Sequence, residues 1–315
     1  MHVARVGHDT CLWARDAALV DDMRKRRANA VYLADVLFPS GLRVTADLAE
    51  AVGDAGLIVA ALPSHGTRSI LGRAARLRRP DSILVSATKG LEQDTLLRMS
   101  EVAEQELGAE APIAVLSGPS FAAELARQLP TAASVASRDA TVVERVQADL
   151  CASYFRLYGT GDVVGVEIGG ALKNVIAIAA GVAEGLSLGH NAQAGLITRG
   201  LAEITRLACA AGAQRETLAG LSGLGDLVLT CTGALSRNRH VGIELARGRS
   251  VEEVLAGMKM VAEGVRTTDA ALALGRRYDV ELPITSQVAD LLAGRKDARA
   301  ALYELMLRPQ RAEAE

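Results

Sequence analysis

The chain has 315 residues, half of them apolar and only 3% aromatic, with a formal net charge of −2. That length suits two domains of about 100–200 residues each, and the scarcity of rings leaves Ala, Leu, Val and Gly to fill a helix-rich or α/β core. A near-neutral balance argues against nucleic acid or an anionic membrane as the main partner, and four dispersed cysteines (Cys11, Cys151, Cys209, Cys231) without a CxxC pair predict reduced, packed thiols in a cytoplasmic protein.

"VARVGHD" reads as the last turn of a helix followed by a glycine turn, "TCLWAR" as a strand and "ALVDDMRKRR" as a charged helix. "GLIVAAL" is a short unbroken apolar run, the pattern of a strand buried on both faces. "SHGTRSILGRAARL" reads as helix, "SILVSAT" as strand, and "LLRMSEVAEQELG" as a helix ending on glycine. "PIAVLSG" and "TAASVAS" are further strands with a short helix between them. Strands alternating with helices predict βαβ units and an α/β, Rossmann-like, doubly wound, mainly parallel sheet. From about Asp162 the alternation stops. "DVVGVEIGGALKNVIAIAAGVAEGL" and "AQAGLITRGLAEITRLACAAG" are long apolar helices, and shorter helices follow up to Leu307. The most apolar stretch carries Glu184 and is short for a bilayer span, so no membrane insertion is expected. The tail "RPQRAEAE" is polar and expected to fray. The predicted organisation is an α/β domain over 1–160 and an all-α domain over 161–315.

In open α/β sheets ligands sit at the carboxyl ends of strands. "LPSH" after "GLIVAAL" and "TKGL" after "SILVSAT" are therefore candidate ligand loops, and ordinary strand-to-helix turns otherwise. A dinucleotide-binding unit also needs GxGxxG after its first strand. "GLSGLGD" at 220–226 has the wrong spacing and no strand before it. The residue that meets the adenine ribose lies about 20 residues past those glycines, at the end of the second strand. With "TCLWAR" as that strand, Arg15 is the ribose position, and the first strand, the glycine loop and most of the first helix are expected to lie ahead of Met1. Removing them is expected to leave two strand edges unpaired.

Polar residues in apolar settings mark the second half. Lys173 lies in "GGALKNVIAIAAG" and needs either a partner or a solvated edge, since burial disfavours its charge. Asp226 in "GLGDLVLTCT" is either a helix N-cap or a functional carboxylate, with Thr230 on its face if the segment is helical. "SRNRH" groups Ser236, Arg237 and Asn238 as phosphate donors or as a plain helix start. "SGPSF" places Ser120 at a turn where backbone amides meet an anion or simply cap a helix. His65, His190 and His240 have no metal-ligand spacing, and no metal is expected.

Nine segments in order, "LWARD", "LPSH", "ATKGL", "SGPSFAAEL", "GGALKNVIAIAAG", "ITRGLAEITRL", "GLGDLVLTCTGALSRNRHVG", "VAEGVRTT" and "LPIT", resemble the bacterial NAD(P)-dependent glycerol-3-phosphate dehydrogenases. The resemblance implies a dinucleotide-binding domain followed by a substrate domain, a cytoplasmic oxidoreductase, and interconversion of dihydroxyacetone phosphate and sn-glycerol 3-phosphate for phospholipid synthesis. It implies that Lys173 moves the proton at the substrate C2 oxygen and that Asp226 holds Lys173. It places Lys89, Gly118, Ser120, Asn174, Thr230, Ser236, Arg237 and Asn238 around the substrate. Arg15, Lys89, Ala122, Arg237, Val261 and Glu263 fall around the cofactor. Arg15 favours NADPH, while Asp16 beside it offers a ribose acceptor for NADH. The family's glycine fingerprint has no counterpart here. Two alternatives stand beside this reading: an impaired protein that only binds or dimerises, and a dehydrogenase of another small hydroxy acid. "GDLVLTCT" together with "SRNR" speaks against the latter. The expected partners are a small phosphorylated substrate and a second copy of the chain in a homodimer.

Overall fold

The computed structural model describes residues 1–258, 260–309 and 312. Most of the tail "RPQRAEAE" lies outside the described residues. The strands are β1 (Thr10–Trp13), β2 (Ala28–Asn29), β3 (Leu33–Leu37), β4 (Leu42–Thr45), β5 (Leu57–Ala60), β6 (Ile83–Ser86), β7 (Ile113–Ser117), β8 (Thr131–Ala136) and β9 (Phe155–Thr160). Helices α1 (His2–Arg5), α2 (Ala17–Arg26), α3 (Leu48–Val52), α4 (Ser64–Ala75), α5 (Met99–Leu107), α6 (Ala122–Ala126) and α7 (Ala140–Leu150) alternate with them.

Strands β5 to β9 form one sheet in sequential order, parallel except between β7 and β8. Val59 lies opposite Val85, and Leu116 opposite Val135. A separate parallel pair joins β1 to β4, with Leu12 opposite Val44. Among the described residues β1 pairs only with β4 and β5 only with β6. Trp13 of β1 and Ile58 of β5 nonetheless pack on the same Leu48–Val52–Ala74 cluster, so α3 and α4 bridge the two sheets on one face. The other side of the five-stranded sheet is sealed by α7, whose Val142, Val143, Val146 and Leu150 meet Val135, Phe155 and Leu157. Carboxylate caps start several of these helices: Asp16 on α2, Asp47 on α3 and Asp139 on α7.

The helical half begins where Asp162 caps α8 (Val163–Gly185) by accepting from the Gly165 N–H. Then come α9 (Gly189–Ala210), α10 (Arg215–Ala219), a π-helical turn (Leu221–Gly225), α11 (Asp226–Thr232), α12 (Arg237–Ala246), α13 (Val251–Ala256), α14 (Glu263–Arg277), α15 (Pro283–Leu292) and α16 (Ala298–Met306). Helix α8 is the axis, and Ile168, Leu172 and Ile176 share a core with Ile204 and Leu207 of α9, Leu227 of α11, Leu274 of α14 and Ile284 of α15. At 23 residues α8 is, against the sequence expectation, long and apolar enough to cross a bilayer. Its most apolar window is 89% buried inside this fold. A second correction concerns the thiols: only Cys231 is buried, Cys11 is half-buried, and Cys151 and Cys209 are exposed.

Two contacts fix α8 for its role. Glu167 reaches into the α/β half, accepting from the Arg98 guanidinium at 2.7 Å and from the Ser100 N–H at 2.7 Å and hydroxyl at 2.5 Å. Helix α12 crosses α8 at backbone contact: a Cβ on Gly242 would sit 1.9 Å from the Ile178 carbonyl oxygen, and one on Gly181 2.0 Å from that of Arg239. Gly242→Ala is expected to push the helices apart and to cost about 3 kcal/mol. The urea midpoint should fall accordingly, and an unchanged midpoint would contradict this packing.

Candidate active site

The three loops after β5, β6 and β7 turn toward the helical half, and the polar residues meet there. Lys173 is not at a solvated edge. It lies on the buried face of α8 with 6% exposure. Its ammonium donates to Asp226 Oδ1 at 2.6 Å and to Thr230 Oγ1 at 2.7 Å. An ammonium has three protons, so one is left for a ligand. Asp226 is 1% exposed and is no N-cap. The π turn carries the chain into α11 with Gly225 already in right-handed helical conformation, so Asp226 is the first helical residue and its side chain turns inward. Its other oxygen, Oδ2, accepts from Lys89 Nζ at 2.6 Å. Thr230 sits one turn on, on the same face, and donates its hydroxyl to the Asp226 carbonyl.

One carboxylate thus serves two ammonium groups. Burial, reinforced by the neighbouring Lys89 charge, lowers the Lys173 pKa to about 8, with Asp226 opposing. Burial alone would raise the Asp226 carboxyl, but Lys89 and Lys173 outweigh it and hold it below its ordinary range. Burial pushes the adjacent Cys231 thiol up to about 12, so it stays neutral.

Lys89 also donates to the Gly118 carbonyl at 3.0 Å, and the Ser120 hydroxyl donates to the same oxygen. That joins Lys89, Gly118 and Ser120 in one wall. Asn238 and Asn174 form a second polar group. Asn238 donates to Asn174 Oδ1 and accepts from the Gly264 N–H, both at 2.9 Å, which ties α8, α12 and α14 together. Ser236 caps α12 by accepting from Arg239 N–H, leaving its own proton to give. Arg237, the first residue of α12, is exposed and donates to the Val261 carbonyl at 2.7 Å. Glu263 opens α14 and accepts from Ser64 in the "LPSH" loop. Ala122, the first residue of α6, and Arg15, between β1 and α2, are exposed, and among the described residues no hydrogen bond joins either to the Lys173 cluster. Of the cross-domain partners, Ser64 lies in the candidate "LPSH" loop without being singled out there, and Glu167, an acid on an apolar helix, is detectable by the argument that singles out Lys173.

A nicotinamide dinucleotide suits this cleft at its reactive end. Lys89, Glu263 and Arg237 stand around it. After β1, Asp16 caps α2 through Oδ1 alone, accepting from the Ala18 and Leu19 amides, and Arg15 beside it is exposed. No glycine loop is found among the described residues, so no pyrophosphate contact is assigned. "GLSGLG" is the π turn and follows α10.

Family comparisons agree with this geometry. The family described as NAD-dependent glycerol-3-phosphate dehydrogenase matches by its N-terminal model over residues 1–143 and by its C-terminal model over 162–303. The chain is 49% identical over 253 residues to a glycerol-3-phosphate dehydrogenase [NAD(P)+] of Syntrophotalea carbinolica, covering 80% of this chain and 76% of that one. It is 50% identical over 252 residues to the enzyme of that name from Thioalkalivibrio sulfidiphilus, with the same coverage. A crystal structure of a glycerol-3-phosphate dehydrogenase from Coxiella burnetii superposes with a TM-score of 0.92 at 40% identity, over 98% of this chain and 94% of that one.

Proposed function

The chain belongs to the NAD-dependent glycerol-3-phosphate dehydrogenase family, and we propose that it interconverts dihydroxyacetone phosphate and sn-glycerol 3-phosphate through Lys173, with NADPH preferred over NADH. The observation that carries the proposal is the buried lysine with one uncommitted proton and a pKa brought down to about 8. A group that titrates near working pH serves as acid in one direction and base in the other.

When bound, the nicotinamide supplies the hydride to substrate C2 in reduction and takes it back in oxidation. Lys173 gives its free proton to the C2 oxygen in reduction and recovers it in oxidation. Lys89 adds a second positive charge on the same side, where the oxygen becomes negative. Asp226 holds both lysines in place, and its charge keeps Lys173 from losing its proton too easily. Arg237, Ser236 and the remaining amide proton of Asn238 offer donors for the phosphate, an arrangement suited to a tetrahedral dianion. The preference for NADPH is supported by the exposed Arg15 just after β1, whose guanidinium suits a ribose 2′-phosphate. The phosphorylated substrate, the free thiols and the family support a cytoplasmic enzyme that feeds phospholipid synthesis.

The test is NADPH oxidation by the purified protein, with its native N-terminus, in the presence of dihydroxyacetone phosphate. Turnover is expected, and Arg237→Ala should raise KM for that substrate about 30-fold, since hydrogen bonds to charged groups contribute about 1.5–3 kcal/mol. Turnover of an unphosphorylated 2-oxo acid in place of dihydroxyacetone phosphate would overturn the substrate assignment.

A further inference from the structure

The Glu263 carboxylate is held from the other half of the molecule. Glu263 Oε1 accepts from the Ser64 backbone N–H at 3.2 Å, and Oε2 from the Ser64 hydroxyl at 2.6 Å. Ser64 is the first residue of α4, whose N-cap position is Pro63, a residue with no side-chain acceptor. Glu263 is the first residue of α14. Two positive helix ends therefore converge on one carboxylate, which balances both and caps α4 from 199 residues away. Ser64 is 4% exposed and Glu263 half-buried, so this bond is partly sheltered from water and strengthened accordingly. The approach has been cleared: at Gly90, next to Lys89, a Cβ would lie 2.8 Å from Ser64 Cβ and 3.4 Å from Glu263 Oε2.

We infer that Ser64 is a positioning residue: it fixes the Glu263 carboxylate for the dinucleotide and latches the two domains at that end of the cleft. This rests on the reading that Glu263 meets the cofactor. Each carboxylate oxygen has two lone pairs, and Ser64 uses one on each. The remaining pair on each oxygen is oriented and available to an amide donor of the nicotinamide. With the hydroxyl gone, the backbone N–H alone holds one oxygen, and the carboxylate is free to rotate. The loss falls on cofactor affinity. Proton transfer depends on Lys173 and Asp226, which Ser64 does not touch.

The experiment uses the full chain and measures NADPH binding by fluorescence without substrate, together with steady-state kinetics over pH. Ser64→Ala is expected to weaken NADPH binding about tenfold, the size of one hydrogen bond to a charged group. kcat should stay within twofold of the wild type and its pH profile should not move. Ser64→Thr, which restores the hydroxyl, should bind within threefold of the wild type. Amide exchange in the first turn of α4 should quicken in Ser64→Ala and not in Ser64→Thr. Unchanged NADPH binding in Ser64→Ala beside a normal wild type overturns the positioning role alone, as does a fall in kcat with binding unchanged. Absence of NADPH binding by the wild type overturns the reading of Glu263 and the positioning role with it.

Discussion

Lys173→Met is expected to lower kcat for dihydroxyacetone phosphate reduction about 10³-fold, in the middle of the range for a lost general acid, while leaving the fold at least as stable. Both halves follow from the same burial. The buried ammonium has one proton without an acceptor, and methionine keeps the length of the chain without the proton. Its cost to the fold comes from the pKa. Burial and the Lys89 charge bring Lys173 from 10.5 down to about 8, so between those pH values the folded chain binds fewer protons than the unfolded one. Stability then rises with pH across that window, and below pH 8 the folded state carries the full cost of a buried charge. Methionine removes it, and Asp226 keeps Lys89 as its counter-charge at 2.6 Å. In the wild type, reduction needs the charged lysine and should fade as pH rises through about 8, while oxidation needs the neutral one and should grow over the same interval. Rate–pH profiles in both directions and a thermal melt check this. A variant with kcat within tenfold of wild type, or with Tm lowered by several degrees, would refute it.

What was legible in the sequence was local. "GLIVAAL" and "SILVSAT" became β5 and β6 because unbroken apolar runs bounded by turns have few other uses. Lys173 stood out because a charge on an apolar helix demands a partner. The short pieces were not legible. The hairpin of β2 and β3 and the strand β4 hold two to five residues each, too few for a period to register. Strand β9 does alternate, Phe155 and Leu157 inward with Arg156 and Tyr158 outward, but it sits between two segments that read more strongly. Asp226 was ambiguous because a carboxylate after glycines is usually a cap. Only the π turn, a backbone feature without side-chain signature, turned it inward. The cross-domain pairs Arg98 with Glu167 and Ser64 with Glu263 are separated by 69 and 199 residues, and no spacing rule reaches that far.

Asp226→Asn should be the more destructive change, although the side chain keeps its size. The carboxylate has two ammonium groups at 2.6 Å and is 1% exposed. Asparagine offers one acceptor oxygen, and its amide protons face like-charged donors. Removing one member of a buried ion pair costs about 3–5 kcal/mol because the charge left behind has no partner, and here two charges are left. Lys173, without the opposing carboxylate, should drop further below 8. Reduction should then retain activity only toward acid pH, and the window in which stability rises with pH should widen downward, since the folded state releases its proton sooner. The double variant Asp226→Asn/Lys173→Met deletes one of the two stranded charges. It should be more stable than Asp226→Asn alone, with a coupling energy in the denaturation cycle of about 1–3 kcal/mol. If the coupling energy were near zero, the double variant's change being the sum of the two single ones, the two side chains would be contributing independently to the fold, and the carboxylate would not be there to hold the lysine.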